Sequence, residues 1–94
     1  MVVHIVMWKL KEENKEANAL EIKRALEDLN GKIPGMFKLN VNRGYNENGM
    51  DLCLYSEFES REAVLAYRDN PLHVACQKIV HAAMSERVVC DYEV

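Results

Sequence analysis

Three histidines, four tyrosines and three cysteines are the side chains of this 94-residue chain that could do acid–base, nucleophilic or metal chemistry. His73 is the foremost candidate. It lies in YRDNPLHVACQKIV, residues 67–80, where a helical run breaks at Asn70-Pro71 and a second one restarts. A side chain in the first turn of a helix meets unpaired N–H groups and the positive end of the helix dipole. Both disfavour imidazolium, so the expected pKa is below the ordinary value of about 6.5. A neutral imidazole at pH 7 serves as a general base or as a hydrogen-bond partner for a ligand. The alternative is a core histidine that ties the broken helix to a sheet.

His4 shares a strand face with Val6, Trp8 and Leu10. If that face lines a cavity, His4 is a polar group in an apolar pocket; if it faces the helices, it is a satisfied core residue. Tyr67 reads as a packing residue with its hydroxyl bonded, and as a second pocket candidate. His81 reads as a solvated surface residue. Side-chain metal binding is disfavoured. His73 and His81 are eight residues apart, roughly 80° around a helix, and there is no HxxxH, ExxH or paired-cysteine spacing. No serine or cysteine has a base at motif spacing. Cys53, Cys76 and Cys90 are odd in number, form no CxxC and sit among apolar neighbours, as expected of small buried thiols in a reducing cytosol.

The elements that must position these residues follow from periodicity. Val2 to Leu10 is a strand with apolar residues on both faces, Val3, Ile5 and Met7 against His4, Val6, Trp8 and Leu10. A sheet with one wet face alternates apolar with polar, so both faces of this strand need a cover. Leu20, Ile22, Leu26 and Leu29 then mark a helix, with Ala19 and Ala25 beside the stripe and Asn30-Gly31 as its stop. Met36 to Arg43 alternates Phe37, Leu39 and Val41 against Lys38, Asn40 and Asn42, as in a strand near an edge. The turn-rich GYNENG leads to a partner strand, Met50 to Phe58. Ser60 caps a helix running to Tyr67, and Asn70 caps its restart with Pro71 at the first position. Leu72, Ala75, Cys76, Ile79, Val80 and Ala83 form the apolar stripe of that second run, and Glu86 to Val94 closes the chain as a strand. The order βαββαβ with right-handed crossovers predicts a single α+β domain over residues 1–94. It is a ferredoxin-like fold with a four-stranded antiparallel sheet and helices on one face. The helices cover only one face, so a second copy is the expected cover for the other, as a homodimer enclosing a barrel-like interior.

A net charge of −3 with no basic stripe excludes nucleic acid as the expected partner. The first apolar run stops at Trp8-Lys9 and lacks a basic lead and a cleavage site. No signal peptide, no membrane helix of about 20 apolar residues, and a cytoplasmic location are therefore expected.

Five segments resemble the Dabb family, the stress-responsive dimeric α/β-barrel domains: VHIVMWKLK, GKIPG, DLCLYSEFES, AYRDNPLHVACQKIV and RVVCDYEV, in family order over nearly the whole chain. The resemblance implies a ferredoxin-like protomer, a homodimer and a barrel, with a reaction known for few members, among them plant polyketide cyclases. It assigns pocket roles to His4, Tyr67 and His73. Two further cyclase-type positions, a tyrosine and a histidine, fall on Leu26 and Leu52 here, and the family's histidine before the proline is Asn70. It also implies a main-chain magnesium site at Asn30, Ile33 and Met36; no other cofactor is expected. Two functions follow. One is a dimeric module that binds a small apolar or carbonyl ligand. The other is a cofactor-free lyase, cyclase or isomerase with His73 as general base, His4 and Tyr67 orienting the substrate.

Overall fold

The switch from period two to period three or four along the chain places seven elements in a computed structural model that describes residues 1–94. They are β1 (Val2–Leu10), α1 (Lys15–Glu27), β2 (Met36–Arg43), β3 (Leu52–Phe58), α2 (Arg61–Asp69), α3 (Pro71–Ala83) and β4 (Met84–Glu93). The strands form one antiparallel sheet in the order β2-β3-β1-β4, with β1 central between β3 and β4. This is the ferredoxin-like βαββαβ fold expected from the sequence, with its second helix divided into two.

The division has a local cause. Ser60 opens α2 by accepting from the Ala63 N–H at 3.1 Å. Asn70 then adopts an extended backbone and accepts from the Leu72 N–H at 2.9 Å, with Pro71 at the start of α3. A residue before proline is driven out of the helical region, and proline at the first position loses no helical hydrogen bond. The break therefore ends one helix and begins the next within a single residue.

One face of the sheet meets all three helices. Val6, Trp8, Leu52, Leu54, Phe58 and Val41 from the strands are buried against Ile22, Leu26, Val64, Tyr67, Cys76 and Val80 from the helices. Several expected core positions lie elsewhere. Leu20 and Leu72 are 46% and 47% exposed, because each lies on the flank of its helical stripe rather than its centre. Phe37 is 61% exposed. A bulge between Met36 and Lys38 shifts the register there, so Met36 takes the inward position and Phe37 is turned out. Among the cysteines only Cys76 is buried; Cys53 is half-buried and Cys90 exposed, all three as free thiols. The sheet's other face, with Ile5, Met7, Cys53, Tyr55, Val88, Cys90 and Tyr92, is covered by nothing in the protomer.

Asp51 and Glu27 lock the edges of this frame. Asp51 accepts from the Leu10 N–H at 2.7 Å and lies 3.5 Å from both Lys15 and Arg43. Glu27 accepts from the Val41 N–H at 3.0 Å and pairs with Lys23 at 2.8 Å. Burial alone would raise both carboxyls, but those N–H donors and cations outweigh it and hold both below the usual carboxylate range. A depressed folded-state pKa stabilises the fold above the unfolded value, near 4, and that contribution is lost as pH falls through the folded value. Melting temperature is therefore expected to drop below about pH 4, and Asp51→Asn to make the drop shallower. An acid limb of unchanged slope in the variant would remove Asp51 from this role.

Candidate functional site

The helices pack most closely on β2 and β3 and on one another, and stand off from β1 and β4. The gap between them is a cavity of about 410 Å³ inside one protomer, lined by side chains of β1, β3, β4 and all three helices. Its walls include Val6, Trp8, Leu26, Leu54, Val80 and Val89, and its polar groups include His4, Tyr67, His73, Arg87 and Asp91. This volume lies within the range of small-molecule sites.

His4, Tyr67 and His73 all meet here. His4 projects from β1 toward the helices, so the chamber it lines is intramolecular and not a space between two sheets. Its backbone is fixed by Ser56, a fully buried residue whose hydroxyl donates to the His4 carbonyl at 2.8 Å. Its ring is fixed by Asp91, directly opposite on β4: Nδ1 donates to Asp91 Oδ1 at 2.5 Å. The carboxylate assigns the proton to Nδ1 and leaves Nε2 as the nitrogen free to work. Tyr67 leaves α2 one residue before Arg68 and stands between the two imidazoles. Its ring centroid is 6.0 Å from His4, edge to face, and 3.9 Å from His73, stacked. Phe58 supports it from below at 5.1 Å.

His73 Nδ1 lies 3.3 Å from the Arg68 carbonyl, which only accepts, and 3.5 Å from Gln77 Nε2, which only donates; the closer carbonyl favours the proton on Nδ1. Burial pushes His73 below the ordinary imidazole range, and the nearby His4 and Arg87 act the same way, against the Arg68 and Tyr67 carbonyls. Burial likewise pushes the Tyr67 phenol well above its usual value, with Cys76 adding to the effect and Arg87 opposing it. No buried side-chain nitrogen or oxygen of the chain lacks a hydrogen-bond partner. Neither imidazole Nε2 nor the Tyr67 hydroxyl hydrogen-bonds another side chain, and all three residues line the cavity. The expectation that the Tyr67 hydroxyl is bonded within the protein is thereby corrected. Its aromatic body is fully packed, while its tip is left over for whatever enters.

The arrangement brings together one weak acid that stays protonated and one base that stays neutral at pH 7. A phenol in an apolar setting donates a hydrogen bond to a carbonyl oxygen, and the lone pair of His73 Nε2 accepts a proton from an adjacent carbon. Sequence reasoning missed Asp91 and Arg87. Both lie on the helix-facing side of β4, opposite His4 and Trp8. Alternation alone put Asp91 on one face with Val89, a signal without a partner until the register was known. His81, expected to be purely solvated, is exposed but sits at the cavity rim. Leu26 lines the cavity and makes that part of its wall apolar, whereas Leu52 is buried in the core outside the lining.

Asn30, Ile33 and Met36 lie at the α1–β2 connection, away from the cavity lining. The Ile33 carbonyl accepts from the Met36 N–H at 3.2 Å, and the Asn30 side chain bonds both the N–H and the carbonyl of Leu39. The set offers neutral carbonyls and no carboxylate, whereas magnesium is usually held through one or two carboxylates. Any cation here would rest on main-chain carbonyls alone, and no group of three or more His, Cys, Asp or Glu side chains is placed to hold a metal.

The fold and this site can be set beside known proteins. A dimeric protein of unknown function and ferredoxin-like fold from Bacteroides fragilis is 35% identical, with a TM-score of 0.91 over 99% of this chain and 95% of that one. A protein of Arabidopsis thaliana shares the fold at 23% identity and a TM-score of 0.87, over 100% of this chain and 95% of that one. The hydroxynitrile lyase of Passiflora edulis does so at 20% identity and a TM-score of 0.86, over 99% and 92%. No curated protein gives a match to the sequence. The family model of the stress responsive A/B barrel domain matches residues 2–94. With that match spanning nearly every residue, the chain belongs to the stress responsive A/B barrel domain (Dabb) family.

Proposed function

We propose that this protein is a homodimer in which each protomer binds a small carbonyl compound in its own cavity and moves a proton on it, as a cofactor-free lyase, cyclase or isomerase. One observation carries the reading: the polar side chains of His4, Tyr67 and His73, from a strand and two helices, converge on one cavity whose wall also holds Val6, Trp8, Leu26 and Leu54. The substrate's carbonyl oxygen accepts from the Tyr67 hydroxyl. His73 Nε2 takes a proton from the neighbouring carbon; that C–H bond breaks, its electron pair forms a C=C bond, and the carbonyl π pair moves to oxygen. The enolate oxygen is held by Tyr67, and His73 is left as imidazolium. Returning the proton to another atom isomerises the substrate; attack of the enolate on a second carbonyl cyclises it. His4, braced by Asp91, orients the bound molecule through Nε2. The bare sheet face supports the dimer, since Ile5, Met7, Val88 and Tyr92 would otherwise face water and a second copy offers a matching apolar face. A 35%-identical relative is described as dimeric. No helix of the protein is long and apolar enough to cross a membrane.

The test is deuterium uptake from D₂O at the carbon beside the carbonyl of short-chain methyl ketones, followed by proton NMR. Saturable exchange above the buffer rate is expected. Ketones that quench the single tryptophan, Trp8, in the cavity wall without exchanging would reduce the protein to a binding module. That second reading is favoured by the apolar Leu26 in the cavity wall. Ketones that neither bind nor exchange would end both readings.

A further inference from the structure

The cavity has a charge of its own, opposite to that of the chain. The whole protein carries −3, yet the fixed charges lining the cavity are Arg68, Arg87 and Asp91, two cations against one carboxylate. That carboxylate is already engaged by His4. None of the chain's eight ion pairs uses Arg87 or Arg68; Arg43 and Arg61 are paired, and Arg24, also unpaired, lies outside the cavity lining.

Arg87 is the more telling of the two. It stands opposite Trp8 on the helix-facing side of β4, with Val89 and Asp91 following on the same side. Arg87 and Asp91 have three strand residues between them and lie roughly 13 Å apart along the backbone, too far for a salt bridge between strand positions. Its charge is nonetheless felt at the reacting groups, since it works against protonation of His73 and against retention of the Tyr67 proton. An exposed guanidinium without a carboxylate, at the rim of a partly apolar cavity with a phenol and an imidazole deeper in, matches an anion joined to a short apolar body. Its planar fork accepts a carboxylate with two parallel hydrogen bonds.

We propose that the cavity selects a small keto acid, its carboxylate on Arg87 and its ketone carbonyl at Tyr67 and His73. This rests on the reading of the cavity as a carbonyl-binding site and adds the class of molecule that enters it.

The test titrates 2-oxohexanoate and the neutral, nearly isosteric 2-oxohexanamide into the protein, read by Trp8 fluorescence and by calorimetry. The acid is expected to bind about tenfold or more tightly than the amide. Raising salt from about 50 to about 500 mM should narrow the gap. Arg87→Gln is expected to bring the ratio of the two affinities close to one, and Arg87→Lys to restore part of it. Equal affinities in the unaltered protein, or an undiminished ratio in Arg87→Gln, would overturn the assignment to Arg87 while leaving the cavity as a carbonyl site. Failure of both probes to bind would overturn it together with the reading beneath it.

Discussion

Deuterium exchange by the His73→Ala protein is expected to fall by about 10²–10⁴-fold, the usual worth of a positioned general base. The dimer and the melting curve should be little changed. His73 is half-buried, sits at the start of α3 and has only the nearby Arg68 carbonyl and Gln77 amide as side-chain hydrogen-bond partners, so its removal opens the cavity wall rather than the core. The pH profile separates a base from a packing residue. Burial holds His73 below the ordinary imidazole range, so the acid limb of kcat should lie below about pH 6.5, where an ordinary imidazole would already be half protonated. Tyr67→Phe keeps the stacked ring and removes only the cavity-facing hydroxyl. It should lower the rate while leaving the acid limb in place, because the limb belongs to His73. An exchange rate in His73→Ala within a few-fold of the parent would eliminate the proton-transfer mechanism.

Phe58→Ala is the substitution expected to cost the fold most, about 3–5 kcal/mol. Phe58 is fully buried at the end of β3, opposite Val2 on one side and Met36 on the other, and its ring meets both Tyr67 and His4. Truncation leaves a void beneath the residues that shape the site. A domain of this size has only about 5–15 kcal/mol of total stability, so the variant should be partly unfolded near body temperature. Urea denaturation measures the loss directly. Phe58→Leu retains most of the volume and should cost less, yet it removes the aromatic support under Tyr67, so exchange should slow more than stability falls. Leu20→Ala, on an exposed helix flank, is the control expected to change stability by no more than about 0.5 kcal/mol. A loss below about 1 kcal/mol for Phe58→Ala would mean that the surrounding core collapses onto the gap.

The two substitutions probe the same wall from opposite sides. The strands provide a rigid floor of His4, Leu54 and Phe58, and the broken helix provides a roof through Tyr67 and His73. Asp91 and Ser56 hold His4 from its ring and from its backbone. Rigid elements place reacting groups more accurately than loops do, and here every group given a role in proton transfer is on a strand or helix.

Much of this was legible in the chain itself, because local rules governed it. Period two marked the strands and spacings of three and four marked the helices. Asn70-Pro71 marked the break, since a residue before proline leaves the helical region wherever it occurs. The apolar faces on both sides of β1 announced a sheet needing two covers. The chemistry-bearing side chains His4, Tyr67 and His73 could be singled out by type and by local setting. What joins them could not. That Asp91 meets His4 depends on the register between the first and last strands, a pairing 87 residues apart along the chain. That Phe37 turns outward depends on a bulge, one residue of slack invisible in an alternating pattern. The chamber's location on the helix side depends on how far α2 and α3 stand off from β1 and β4, a distance set by packing between layers. Sequence spacing determines which face a side chain takes within its own element; only the assembly of elements decides what that face meets.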